Sequence, residues 1–393
     1  MTLRTLNDLD LQGKRVLMRA DFNVPLKDGI IQDESRILAT LPTIRTLIDS
    51  GVTLVLMSHL GRPKGAEDKY RLEPVAARLS EHLGQDVRYS PTDSAASDAQ
   101  AQFVASAPTG SVSLLENLRF DPRETKNDPE FAKALAAYGD VFVNDAFGAA
   151  HRAHASTEGV AHLLPSAAGL LLEREVSVLS KLLENPEKPY KVILGGAKVS
   201  DKIGVMRNLI GVVDEILVGG AMAYTFFKAQ GGEVGKSLVE DDKLDIAKDI
   251  LKEAQAKNVT IHLPQDSLCA KEIAENTDTE VFPSDAIPEG YLGLDAGPEA
   301  VSTYQAALAD AKTILWNGPL GVFETPPFDS GTRVIAQTVA AANAYSVVGG
   351  GDSVSAVNAS GLADKIDHIS TGGGASLEFL EGKTLPGIAV LLE

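Results

Sequence analysis

A single cysteine, Cys269, stands in the whole chain, so no disulfide can form within it, and the composition fits a reducing compartment. Basic residues are scarce: 36 Lys and Arg against 54 Asp and Glu leave a formal charge of -18. A field of that sign opposes nucleic acid and anionic membrane. Any anionic ligand must therefore be held by local clusters of Arg and Lys. No apolar run is long enough to cross a bilayer, and the opening MTLRTLNDLDLQGKR lacks the apolar core of a signal peptide. The expected setting is the cytoplasm. No G-x-G-x-x-G followed about 20 residues later by a ribose-binding acid is present, which counts against a dinucleotide dehydrogenase. GGEVGKS (231–237) resembles a Walker A loop. However, Gln230 stands where its first glycine must be, and the stretch follows a helix instead of a strand. Low-complexity segments and short internal repeats are also missing.

What is present is a regular beat. At 393 residues the chain exceeds one ordinary hydrophobic core, so two domains are expected. Short apolar strands are predicted over 15–20, 53–58, 112–115 and 141–144, then over 191–194, 215–218, 259–262, 313–316, 345–348 and 367–370. Helical patterns over 35–49, 73–83, 129–137, 243–257, 298–309 and 331–342 lie between them. That alternation means doubly wound α/β domains with parallel sheets covered on both faces. The long helical run over 170–183, followed by a proline-bearing polar stretch, marks the boundary between them. The segment 91–102 reads as a polar surface stretch.

Ligands collect at the carboxyl ends of such strands. In the first half those ends carry Asp21 and Asn23, the His59-Leu60-Gly61-Arg62 turn, Arg119, and Arg152, with Arg36 near the start of the first helix. Arginine's planar fork suits phosphate and carboxylate bidentately, and Asp21 and Asn23 suit a substrate hydroxyl. A small polyanion bearing both phosphate and carboxylate fits this set. The alternative is that each arginine caps a helix or pairs with a surface carboxylate. His59 reads as a hydrogen-bond donor to phosphate, because sequence identifies no partner base for a nucleophile.

In the second half, Gly195-Gly196 leads into Lys198 and Lys202, two lysines that can reach one phosphate chain. Trp316-Asn317 leads to Glu324, an apolar wall and amide followed by a candidate partner for ribose. The apolar run 345–348 leads into Gly349, Gly350 and Gly351, and Asp352 and Ser353 then open a helix. There the backbone can approach an anion and free N–H groups point at it. A carboxylate beside phosphate implies a Mg²⁺ between them; an ordinary N-cap over a tight turn is the other reading of Asp352. Gly372-Gly373-Gly374 repeats the arrangement.

At these residues the sequence resembles phosphoglycerate kinase of bacterial type. The likeness spans essentially the whole chain through RADFNVP, SHLGRP, ENLRF, NDAFGAAHRAHAS, GGAKVSDK, LDAGP, WNGPLGVFE, GGGDSVSAV and STGGGASLE. Ser353 and Ala149 stand where the family often has threonine. The resemblance implies two similar Rossmann-like domains. Residues 1–169 would bind 3-phosphoglycerate, 170–184 would form a hinge helix, and 185–376 would bind nucleotide. Residues 377–393 would return to the N-terminal domain. It implies reversible phosphoryl transfer between MgATP and the carboxylate of 3-phosphoglycerate, giving ADP and 1,3-bisphosphoglycerate, by a monomer that binds neither nucleic acid nor membrane. Carried over by position, His59, Leu60, Gly61, Arg62, Arg119 and Arg152 bind the phosphate end of the acid. Asp21 and Asn23 bind its hydroxyl region and Arg36 the reacting carboxylate. Lys198 and Lys202 hold nucleotide phosphates, Glu324 the ribose, and Gly293 and Asn317 contribute to the nucleotide site. Gly350, Gly351 and Ser353 offer phosphate contacts, and Asp352 holds Mg²⁺. Arg36, Lys202 and amides near Gly350 and Gly373 would flank the transferring group. A non-catalytic nucleotide-binding scaffold and a kinase or ligase for another small acid are the competing readings.

Overall fold

The structure, a computed structural model, describes residues 2–393. The chain divides into two compact units, Met1–Ser177 with Thr384–Glu393, and Val178–Lys383. The division falls inside one helix, Leu170–Glu184. Only the last ten residues return to the first unit: the Gly374–Leu380 helix belongs to the second, where Asn208 Nδ2 donates to Leu380 O at 2.8 Å.

The first unit is built on six parallel strands in the order Val87–Tyr89, Val112–Leu114, Thr53–Met57, Arg15–Arg19, Val141–Asn144, Ser166–Ala168. Central strands of a sheet covered on both faces must be apolar throughout, and TLVLM and VFVN are buried at every position. Arg19 is the exception, a guanidinium fully buried at the end of its strand. Local signals set the flanking helices. Asp128 accepts from the N–H groups of Glu130 and Phe131, and Pro129 follows it at the first helical position, so Pro129–Ala136 starts there. Asp145 Oδ1 accepts from Leu171 and Leu172 N at 2.9 and 3.2 Å, so the end of the Val141–Asn144 strand caps the Leu170–Glu184 helix.

The second unit repeats the plan with Thr260–His262, Glu215–Val218, Tyr190–Leu194, Thr313–Asn317, Tyr345–Gly349 and His368–Ile369 in that order, all parallel. In chain order this is 3-2-1-4-5-6, the doubly wound arrangement that binds ligands where strand order reverses. The reversal lies between Tyr190–Leu194 and Thr313–Asn317, so the loops after Leu194 and Asn317 are neighbours. Trp316 is fully buried, and its Nε1 donates to Gly318 O at 2.8 Å.

Three features depart from the sequence reading. Within 91–102 a helix begins instead of a surface stretch: Asp98–Ala105 is N-capped by Ser97 and buries Gln100 and Val104. Its alanines and glutamines carry almost no apolar periodicity to announce it. Val87–Tyr89 and Ser166–Ala168 are strands too short to show a period. A small antiparallel sheet, Glu280–Pro283, Asp266–Ala270 and Leu292–Ala296, accompanies the second unit.

Candidate active site

The first unit gathers its cations at the carboxyl ends of its strands. Arg62, Arg119, Arg152 and His154 line one cavity of about 460 Å³ with Lys64 and Asp121. Asp121 is already satisfied by Arg123, at 2.9 and 2.7 Å. Arg62, Arg119 and Arg152 have no carboxylate partner among the described residues. Surface ion pairing therefore does not explain them, although the chain as a whole is strongly acidic.

Side-chain-to-backbone bonds knit the surrounding loops together. Asn23 Oδ1 accepts from Gly61 N at 2.8 Å, and Arg119 Nη1 donates to Gly61 O at 2.9 Å. Asn117 takes part on both sides, donating to Leu60 O and Tyr70 O and accepting from Leu60 N and Arg119 N. Arg36 Nη1 donates to Asp21 Oδ2 at 2.7 Å while its side chain stays 34% exposed, leaving the rest of its fork open. His59 is buried against Arg19, whose Nη2 lies 2.9 Å from the His59 Nδ1. Burial first, and then Arg19, Arg119 and Arg36, hold His59 well below its ordinary value, so the ring is neutral at pH 7. Burial and the Arg19 guanidinium likewise lower Arg119, which stays charged.

Arg19 and His154 were not among the residues anticipated from sequence. The signal for Arg19 was present: a charge ending a strand that must be buried on both faces. His154 lies two residues beyond Arg152 and comes to the cavity with it.

His154 makes the site sensitive to acid. Burial, then Arg19, Arg119 and Arg152, lower it from 6.5 to about 4. The unfolded chain thus binds a proton that the folded chain refuses. The stabilisation is whole above about pH 6.5 and is lost as pH falls toward 4. His154→Gln cannot titrate, so its stability should fall less between pH 7 and pH 5, by about 2 kcal/mol. Urea unfolding of both proteins at the two pH values measures this. Parallel losses would show that His154 is not held neutral.

In the second unit, the loops at the reversal point enclose a cavity of about 630 Å³ whose walls include Gly195, Gly196, Lys198, Lys202, Asn317, Gly350, Gly351, Asp352, Ser353 and Gly373. Glycine is required here for close approach. A Cβ on Gly195 would lie 2.0 Å from Pro319 O, so only bare backbone lets the two loops meet. Gly350 has φ +87°, which an L side chain rarely adopts. Ser353 Oγ accepts from Gly318 N at 2.5 Å, tying the Gly351–Ala359 helix start to the Asn317 loop. Lys202 is buried and donates to Asn317 Oδ1. The Asn317 Nδ2 group is buried with no acceptor, a donor left for something outside the protein. Burial lowers Lys202 to about 8, against the pull of Asp201 and Asp352. Gly293 and Glu324 are not on the walls of this cavity. Gly293 is packed instead against Tyr224, whose hydroxyl lies 1.9 Å from where its Cβ would be.

Two doubly wound units, one with unpaired arginines and the other with a glycine-walled, lysine-bearing cavity, suit a phosphoryl-transfer enzyme. A family model described as phosphoglycerate kinase matches residues 6–383. The chain belongs to the phosphoglycerate kinase family. The phosphoglycerate kinase of Thermus thermophilus is 56% identical over 390 residues, covering 99% of this chain and 100% of that one. That of Deinococcus radiodurans is 55% identical, covering 99% of this chain and 94% of its own. Among solved structures, phosphoglycerate kinase from Coxiella burnetii matches with a TM-score of 0.90 at 43% identity, over 99% of each chain. The chain is thus a transferase, a nucleotide-binding kinase of glycolysis. Among the described residues no helix is long and apolar enough to cross a membrane.

Proposed function

We propose that the chain transfers a phosphoryl group reversibly between MgATP and the carboxylate of 3-phosphoglycerate, holding the acid in the first unit and the nucleotide in the second. The observation that carries this is the three arginines without carboxylate partners, an anion site built into an acidic protein. His59, Leu60, Gly61, Arg62, Arg119 and Arg152 take the phosphate end of the acid. Asp21 and Asn23 take its hydroxyl region, and Arg36 the reacting carboxylate. Lys198, Lys202, Asn317, Gly350, Gly351 and Ser353 surround the nucleotide phosphates, with Gly293 and Glu324 toward the nucleoside.

The attacking carboxylate is ionised at neutral pH, so no general base is needed. Positioning and charge stabilisation then dominate. The Arg36 fork orients the carboxylate, while Lys202 and the amides near Gly350 and Gly373 receive charge on the transferring group. Asp352 suits Mg²⁺: it is exposed on the cavity wall and has no ion-pair partner among the described residues. Mg²⁺ is usually held by one or two carboxylates together with substrate phosphates. Bound there with nucleotide, the ion would neutralise phosphate charge. Because acid and nucleotide are bound by different units, transfer requires closure, for which the Leu170–Glu184 helix is the proposed hinge. The family's setting, a cytoplasmic monomer, is proposed as well.

The test is ADP formation from MgATP and 3-phosphoglycerate, coupled to removal of the acyl phosphate, which would otherwise accumulate only slightly. Turnover that vanishes without Mg²⁺ or without the acid supports the proposal. Nucleotide binding with no turnover would point to a scaffold or another acid.

A further inference from the structure

We propose that Ser156 and Glu124 are positioning residues for the acid site, acting through Arg19 to hold the His59 ring with its proton on Nε2. The inference rests on the reading that His59 binds the phosphate of the acid. Arg19 is fully buried, yet each of its three nitrogens has a partner: Nη2 meets His59 Nδ1 at 2.9 Å, Nε meets Ser156 Oγ at 2.8 Å, and Nη1 meets Ala20 O. A guanidinium only donates. Nδ1 of His59 must therefore accept, and the ring of a neutral histidine then carries its single proton on Nε2.

The other end of the chain of bonds sets the direction. A serine hydroxyl has one hydrogen to give. Ser156 Oγ gives it to Glu124 Oε1 at 2.6 Å, while Ser156 N donates to Glu124 Oε2 at 3.0 Å. Both carboxylate oxygens thus face Ser156, and the hydroxyl turns its lone pairs toward Arg19. Donation runs one way, from Arg19 through Ser156 to Glu124. Glu124 is fully buried: burial raises its carboxyl above the ordinary value, while Arg19 and the two bonds from Ser156 pull it back toward the charged form that a buried guanidinium requires. Neither Ser156 nor Glu124 lines the cavity, so neither is placed to touch the acid.

The experiment is long-range ¹H–¹⁵N NMR of the histidine rings in the ligand-free enzyme, with His59 assigned by His59→Gln, alongside steady-state kinetics. The wild type should show His59 as a single Nε2–H tautomer. In Ser156→Ala that signature should become a mixture, and KM for 3-phosphoglycerate should rise about tenfold while KM for ATP stays put. A wild-type tautomer and an unchanged KM for the acid would overturn the proposal. If Ser156→Ala does not fold, Ser156→Cys, a poorer acceptor of similar shape, must shift both readouts in the same direction; wild-type values there overturn it equally. The underlying reading is tested separately, by adding 3-phosphoglycerate to the wild type. A His59 Nε2–H resonance that ignores the acid defeats that reading while leaving the tautomer result standing.

Discussion

Arg36→Ala is expected to lower turnover roughly a thousandfold while leaving ATP affinity nearly intact. Arg36 opens the Ser35–Asp49 helix, which fixes its backbone, and only one of its nitrogens is engaged, with Asp21 at 2.7 Å. The remaining fork is free to hold a carboxylate in two places at once. Removing it has two effects of the same sign. The nucleophile loses its orienting contact, and Asp21 loses the cation that balances it beside an anionic substrate. KM for 3-phosphoglycerate should therefore rise along with the fall in kcat, whereas KM for ATP, whose proposed site lies in the other unit, should not move. Arg36→Lys restores charge without the fork and should recover only part of the loss. Wild-type turnover in Arg36→Ala would remove Arg36 from the mechanism.

Arg36 was legible from its place near the start of the first helix, and strand-end logic singled out most of the other residues of the candidate site. In a parallel sheet the chain itself marks where each strand stops, so His59, Arg119, Arg152, Lys202 and Asp352 fall in the loops and turns that follow apolar runs. What stayed hidden depended on contacts between distant segments. Ser156 and Glu124 are ordinary polar residues until folding wraps both around Arg19. Gly195 and Gly318 look like loop glycines, and only the strand order at the reversal point shows that their backbones must touch. The Asp98–Ala105 helix was missed for another reason, since its burial is carried by Gln100 and Val104 without an apolar stripe.

The same contacts give Lys202 its importance, and Lys202→Met should lower kcat by roughly two to three orders of magnitude. Lys202 is buried at the start of the Ile203–Leu209 helix and donates to Asn317 Oδ1, which leaves the buried Asn317 Nδ2 donor without an acceptor. One substitution therefore removes a charge and loosens a second donor. Burial already lowers this lysine to about 8. Without ligand its protonated, useful form declines as pH rises through that value. Nucleotide phosphates favour the charged form and should raise it again. In the wild type, kcat/KM for ATP should consequently fall above about pH 8, while kcat holds to higher pH. Lys202→Arg is not expected to rescue activity, because a planar fork cannot replace a compact ammonium in a pocket fitted to Asn317. A Lys202→Met enzyme that keeps wild-type kcat, or an alkaline limb unchanged by its loss, would show that the transferring group is stabilised by the glycine-loop amides and Mg²⁺ without it.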